Sequence, residues 1–217
     1  MSTPNLHALG EAALLCEWPA PATDEIQMRV WALAEAARQW PHVREVVPGM
    51  NNLCILFDPL ATTARALAPQ LRAAWRRSET EAVAPVAREI EIPVHYGGSD
   101  GPDLDAVAAH TGLSTDEVVA RHSAAQYQVY FVGFQPGFAY FGGLDTSLHT
   151  PRRAEPRLAV PAGSVGIGGA QTGIYPSASP GGWQLIGRTA LTLFDPARTP
   201  PALLEPGDRV RFVEKNR

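Results

Sequence analysis

Glycine is spread so unevenly along these 217 residues that one architecture cannot account for the whole chain. Only Gly10 and Gly49 precede residue 97, and the other 17 of 19 lie from Gly97 onward. Glycine permits left-handed backbone and close approach of neighbouring chains, but it weakens helices and long strands. A glycine-poor first part therefore suits regular elements, and a glycine-rich second part suits short strands joined by tight turns. The change falls at His95-Tyr96-Gly97-Gly98-Ser99-Asp100-Gly101-Pro102, which reads as a loop. The sequence thus predicts a small α+β domain over residues 1–94 and a second domain over residues 95–217.

In the first part, Ala12 to Trp18 is a short apolar strand closed by Pro19 and Pro21. Thr23-Asp24 can cap a helix reaching about Gln39, with Ile26, Val30, Leu33 and Ala37 on one face. Val43 to Val47 and Asn52 to Phe57 are strands joined by the turn Pro48-Gly49-Met50-Asn51. A second helix over about Thr63 to Arg77 buries Leu67, Leu71, Ala74 and Trp75 and leaves Arg65, Arg72, Arg76 and Arg77 wet. Glu89 to Val94 alternates at period two, as a half-buried strand should. The expected order is βαββαβ, with helices on one face of an antiparallel sheet.

The second part opens with helices at Asp103–His110, stopped by Gly112, and from the capping box Ser114–Glu117 to about His122. Strands follow at Tyr127–Phe134, around Val165, and at Trp183–Ile186, Leu191–Phe194 and Arg209–Val213, broken by Gly, Pro and Asp-Pro turns. Many short strands with turn signals predict a barrel or sandwich.

Charge and composition exclude several functions. Asp and Glu outnumber Lys and Arg by 22 to 18, which gives no basic footprint for nucleic acid. No apolar run has membrane-spanning length, and the first ten residues do not resemble a secretory signal, so a cytoplasmic protein is expected. Cys16 and Cys54 are too few for a disulfide scaffold, and the six histidines lack metal-site spacing. Lys215 is the single lysine. That rules out a Walker-type phosphate loop and an internal Schiff-base nucleophile, both of which need a placed lysine.

Chemistry concentrates in two segments. In Gly133–Gly143, Pro136-Gly137 fits the centre of a type II turn, crowded by Phe134, Phe138, Tyr140 and Phe141. It reads either as an aromatic-plugged barrel corner or as the lip of a ligand pocket. In Pro161–Pro176, Gly163, Gly166, Gly168, Gly169 and Gly173 surround Ser164, Gln171, Thr172 and Tyr175. That segment is either a glycine-kinked strand or a bare backbone that approaches a ligand closely and points its amides at an anion. Between the two, Arg152, Arg153 and Arg157 can clamp an anion or serve as ordinary surface cations. His122 closes a helix just before the strand into the aromatic turn, a position that is electrostatically favourable even without a further role.

Taken together, the motifs resemble a known family. They are His122-Ser123, Tyr127–Phe138, Thr150-Pro151-Arg152, Pro156-Arg157, Val160–Gly169, Gln171–Pro176, Ser179–Thr189 and Pro206–Val210. The run is similar to the family that comprises the 5-oxoprolinase B subunit, allophanate hydrolase subunit 1 and KipI. Gln135, Ala139 and Phe141 depart from its pattern, where an apolar residue, a proline and a leucine are expected. The motifs cover about residues 90–213, and length and element order extend the likeness to the rest.

The resemblance implies a cyclophilin-like β-barrel as the second domain. It implies a homologous partner, the C subunit of 5-oxoprolinase, in a B–C complex. With the A subunit, that complex converts 5-oxo-L-proline to L-glutamate, with ATP as co-substrate. Other members imply two alternatives: an inhibitor of histidine kinase autophosphorylation, or half of a biotin-dependent carboxyltransferase of the urea amidolyase type. For lactam opening, residue chemistry nominates His122, Gln171 and Tyr175 as catalytic. Phe134, Pro136, Gly137, Phe138, Arg152, Arg157, Gly163, Ser164, Thr172 and Trp183 are nominated for substrate contact, and no metal is expected.

Overall fold

The computed structural model describes residues 3–81 and 87–215. Chain contacts divide it into two units, Met1–Pro85 and Val86–Arg217.

The first unit carries four strands, β1 (Asn5–Leu9), β2 (Ala13–Glu17), β3 (Val43–Pro48) and β4 (Asn52–Phe57), in the antiparallel order β1-β2-β4-β3. Helix α1 (Asp24–Arg38) starts where expected. The Thr23 hydroxyl accepts from the Ile26 N–H at 3.2 Å, and Asp24 and Glu25 occupy the first turn. Val30, Leu33 and Ala37 of α1 and Leu67, Leu71, Ala74 and Trp75 of α2 (Ala64–Glu81) pack with Leu14, Cys16, Leu53, Ile55 and Phe57 of the sheet. The turn from β3 to β4 closes with Asn51 at φ +53° and the Gly49 N–H donating to Asn52 O. β1 is the strand that sequence reading missed. Four of its five residues are exposed, so it shows no alternation to read.

The second unit is built on a closed barrel. Its strands are β5 (Glu89–Tyr96), β6 (Tyr127–Val132), β7 (Ala139–Gly142), β9 (Ser164–Gly168), β10 (Gln171–Ile174), β12 (Gln184–Arg188) and β13 (Arg209–Glu214). The order around the barrel is β10-β7-β6-β13-β5-β12-β9, and β10 pairs back on β9. Strands β8 (Arg157–Val160) and β11 (Ser179–Gly181) form a separate two-stranded arm. Helices α3 (Leu104–Thr111) and α4 (Thr115–Ala124) add Leu104, Val107, Val118 and Val119 to the barrel core. Gly112 ends α3 at φ +71°, and both arms of the Ser114–Glu117 capping box are made. No helix among the described residues is long and apolar enough to cross a membrane.

Two expectations need correction. The alternating strand Glu89–Val94 does not complete the first domain. It runs parallel to β13 from Glu89↔Arg209 to Val94↔Glu214 and meets β12 on its other edge. The first unit therefore reads ββαββα rather than βαββαβ, and the barrel begins before residue 95. Leu191–Phe194 forms no strand either. It carries one isolated bridge, Phe194 to Ala202, and Leu193 is buried in the core from a loop.

Candidate functional site

The aromatic turn forms as its composition requires. The Phe138 N–H donates to Gln135 O at 3.0 Å across Pro136 and Gly137, and Gly137 takes φ +79°. A Cβ at Gly137 would lie 2.8 Å from the Phe194 Cβ, so both space and conformation demand glycine. Phe134, just before the turn, takes φ +68° and stays 65% exposed. A bulky residue held in left-handed backbone is strained, and strain of this kind gathers at binding surfaces.

Period-two alternation sorts the neighbouring strands onto two faces. Phe141, Val165, Ile167, Ile174 and Ile186 face the barrel core, while Tyr140, Tyr175 and Leu185 gather with Phe138, Val160 and Trp183 in a separate cluster outside it. The glycines explain how Trp183 reaches the barrel wall. Added Cβ atoms at Gly166, Gly168 and Gly173 would lie 3.2, 2.5 and 3.1 Å from Trp183 atoms. The bare strands β9 and β10 are thus a floor on which the indole lies. Of the two readings of this segment, packing accounts for its glycines at these positions, since the strands are bare where a ring of the same chain lies on them. At Gly181 the same logic makes room for the Tyr175 hydroxyl, 2.4 Å from an added Cβ.

These rings enclose a cleft of about 240 Å³ lined by Phe134, Phe138, Tyr140, Arg152, Pro156, Tyr175, Pro180, Gly181, Gly182 and Trp183. Phe138 stands edge-on to Phe134, Tyr175 and Trp183, at centroid separations of 5.4, 5.2 and 5.6 Å. Tyr140 is held by stacking on Phe131 at 4.3 Å. Arg152 supplies the charge. Its guanidinium carbon lies 5.9 Å from the Trp183 ring, and no carboxylate pairs with it among the described residues. Burial pushes the Tyr140 and Tyr175 hydroxyls upward and Arg152 pulls both back, while the Trp183 backbone N–H also lowers Tyr175. Both remain neutral donors at pH 7. A larger hollow of about 410 Å³ beside β5 and β13, lined by Glu89, Glu91, Arg209 and Arg211, has no aromatic wall.

The other nominated residues lie elsewhere. Arg157, expected as a free clamp, is engaged: its Nη2 donates to Asp103 Oδ1 at 2.8 Å, beside Arg153 Nη1 at 3.1 Å. Gly163 and Ser164 hold the Tyr175 backbone from both sides, through Gly163 N–H to Tyr175 O at 2.7 Å and Tyr175 N–H to Ser164 O at 2.9 Å, but do not line the cleft. Gln171 begins β10 and lies outside the lining. Pro136 and Gly137 shape the turn that places Phe134 and Phe138.

His122 and Thr172 sit inside the barrel. His122 is fully buried against Phe212 and Tyr127, with ring centroids 4.5 and 5.4 Å away. Thr172 Oγ1 donates its one hydrogen to Gly166 O at 3.0 Å, so it accepts from His122 Nε2–H at 3.0 Å. Nδ1 then accepts from the Tyr96 hydroxyl at 2.8 Å. Both ring nitrogens are satisfied in the neutral form, and burial pushes its pKa down to about 3.

Sequence reasoning set Tyr140 in the aromatic turn without naming it as a substrate contact, and missed the cleft roles of Pro156, Pro180, Gly181 and Gly182 and the role of Asp103. The alternation Ala139-Tyr140-Phe141 carries a usable signal for Tyr140, since Phe141 inward sends Tyr140 outward. No group of three or more His, Cys, Asp or Glu side chains placed to hold a metal occurs among the described residues. Chemically, the cleft combines an apolar wall, two neutral phenol donors and one unpaired cation, which suits a small planar monoanion.

Comparison with known proteins places this geometry among relatives. The model of the carboxyltransferase domain, subdomain C and D, matches residues 4–204. The chain is 54% identical over 213 residues to the 5-oxoprolinase B subunit of Escherichia coli O157:H7, covering 98% of this chain and 97% of that protein. It is 47% identical over 209 residues to the protein of the same name from Haemophilus influenzae, covering 96% and 97%. Among solved structures, TTHA0988 superposes with a TM-score of 0.79 at 39% identity, over 94% of this chain. The chain spans 40% of the length of TTHA0988.

Proposed function

The chain belongs to the carboxyltransferase domain family, subdomain C and D, and from that premise we propose that it is the B subunit of an ATP-dependent 5-oxoprolinase. The observation that carries the reading is the identity of 54% and 47%, over nearly the whole of both chains, to proteins named as the B subunit of 5-oxoprolinase. On this reading it works in the cytoplasm with the A and C subunits to open 5-oxo-L-proline to L-glutamate, and its barrel is of the cyclophilin-like type.

The cleft supports the substrate. Its volume of about 240 Å³ falls below the roughly 300–1,000 Å³ of a pocket for drug-sized ligands, and fits a five-membered lactam better than a nucleotide. We assign Arg152 to the substrate carboxylate, the faces of Phe138 and Trp183 to the ring, and the Tyr140 and Tyr175 hydroxyls to the lactam amide. Phe134 covers the mouth. ATP, brought to the lactam by the assembled complex, gives its γ-phosphoryl group to the amide oxygen and leaves as ADP. Water then adds to the activated carbon and the ring nitrogen departs, and a second water hydrolyses the resulting acyl phosphate to glutamate and phosphate. His122 and Thr172 support the wall from inside the barrel, Gly163 and Ser164 hold Tyr175, and Gln171 flanks the site.

The test is ATP hydrolysis by the purified chain mixed with the A and C subunits, with and without 5-oxo-L-proline. Hydrolysis that requires the lactam and all three chains, with glutamate formed in step, is the expected result. A well-formed complex that hydrolyses no lactam would overturn the reading.

A further inference from the structure

We propose that Asp103 is a positioning residue for the cleft, fixing the arginine-bearing segment 151–157 against the wall that carries Trp183. The inference rests on the assignment of the cleft to the lactam. Asp103 occupies the N-cap position of α3, where an aspartate ordinarily accepts from the first backbone N–H groups of its own helix. Here it makes no such bond. Its carboxylate, 4% exposed, turns away from the helix. Oδ1 accepts from Arg157 Nη2 at 2.8 Å and Arg153 Nη1 at 3.1 Å, and Oδ2 accepts from the Leu185 N–H at 2.7 Å. The Asp103 N–H donates in turn to Leu185 O at 2.9 Å.

One carboxylate therefore ties both sides of the cleft. Arg153 and Arg157 flank Arg152 and Pro156, which line it from one side, and Leu185 follows two residues after Trp183, which lines it from the other. Residues 151–156 form neither helix nor strand, so backbone pairing within the segment does not place Arg152. Other ties of the segment are Arg153 N–H to Gly182 O at 2.7 Å, Gln184 Nε2 to Pro151 O at 3.0 Å and, at its end, the pairing of Arg157 with Gly181 in the two-stranded arm. Arg157 Nη1 is already buried without a hydrogen-bond partner. Among the described residues neither Arg153 nor Arg157 pairs with a second carboxylate, so the segment would shift to find water for a guanidinium that Asp103 releases.

The chain contains five tryptophans, and Trp183 alone lies beyond residue 85. In the reconstituted three-subunit complex, this chain would carry 5-fluorotryptophan, with the Trp183 fluorine resonance assigned from W183F. In the native protein, 5-oxo-L-proline is expected to shift that resonance. In D103N the same shift needs about tenfold more lactam or beyond, and KM rises in step while kcat changes by less than about threefold. R157Q is expected to raise KM similarly, and the D103N/R157Q pair is no worse than D103N, because both act through one contact. If D103N fails to fold, R157Q with D103E, which retains the carboxylate, carries the test. A native chain that titrates alongside D103N or R157Q variants binding within about twofold of it overturns the proposal and leaves the cleft assignment standing. A native Trp183 resonance that ignores the lactam overturns the assignment and the proposal together. A lower melting temperature with kcat and KM altered in equal measure also overturns it, since that would mark Asp103 as a fold residue only.

Discussion

Arg152 and His122 show how differently two nominated residues can behave once their surroundings are known. Arg152 is exposed, without a carboxylate partner among the described residues, and placed on the rim of an aromatic cleft, so its charge is free for a ligand. A hydrogen bond to a charged group is worth about 1.5–3 kcal/mol, so Arg152→Gln should raise KM for 5-oxo-L-proline roughly 10- to 100-fold. An exposed substitution of this kind moves stability by only about 0.5 kcal/mol. Steady-state kinetics beside a thermal melt checks both halves, and an unchanged KM removes Arg152 from the site. His122 belongs to the fold instead. The folded chain protonates it only near pH 3, whereas the unfolded chain does so near the ordinary 6.5. Between those values the unfolded state binds the extra proton, so this contribution is whole above pH 6.5 and is lost as pH falls toward 3. The slope reaches about 1.4 kcal/mol per pH unit. Asp58, Glu117 and Asp145 also have lowered pKa values and lose stability in acid, so the effect is read as a difference. The Tyr96→Phe/His122→Leu variant removes both partners of one hydrogen bond, and its urea midpoint should depend less steeply on pH between 5 and 7. Equal slopes in the two proteins would mean that His122 titrates normally in the folded state.

At the scale of elements, the paired strands β9 and β10 are shaped by the ring they carry. Gly168→Ala would place a methyl 2.5 Å from the Trp183 Nε1, which must either move or strain the strand. Overpacking of this kind costs about 1–3 kcal/mol, so the melting temperature should fall and the affinity for the lactam should fall with it. Gly133→Ala is the control, since its nearest neighbour, Phe131, is at an ordinary 3.4 Å and its φ is not left-handed. Gly168→Ala behaving like Gly133→Ala would detach the indole from the strand. This pair of strands also marks the limit of what is legible in the chain. That something lies against Pro161–Pro176 follows from its bareness, but that it is Trp183 depends on a fold-back across a further seven residues or more. The Pro136-Gly137 turn and the Ser114–Glu117 capping box are local and are readable outright. Asp103 is not legible for the opposite reason. Local sequence marks only the start of a helix there, while the arginine partners of its carboxylate stand 50 and 54 residues away.

For the whole molecule, composition and contact draw the division in different places. Glycine content changes at residue 97, yet β5 ends at Tyr96 and already belongs to the barrel. Its alternation states only that one face is buried. Which sheet takes it depends on β13, paired with it in parallel from the far end of the chain, at Glu91↔Arg211 and Phe212↔Ile92. Ile92 and Val94 are fully buried in the same core as Tyr127 and Phe212, so β5 is a wall of the barrel rather than a leader into it. A fragment covering 87–217 keeps all seven barrel strands and should melt cooperatively, with a near-ultraviolet signal from Trp183. A fragment covering 97–217, cut where the glycines begin, loses β5, exposes the edges of β12 and β13 and opens the core at Ile92 and Val94. Removing one large buried aliphatic side chain costs about 2–5 kcal/mol, against a total stability of roughly 5–15 kcal/mol. The shorter fragment should therefore lack a cooperative transition. If it melts as the longer one does, the barrel closes without β5, and the domain boundary follows glycine after all.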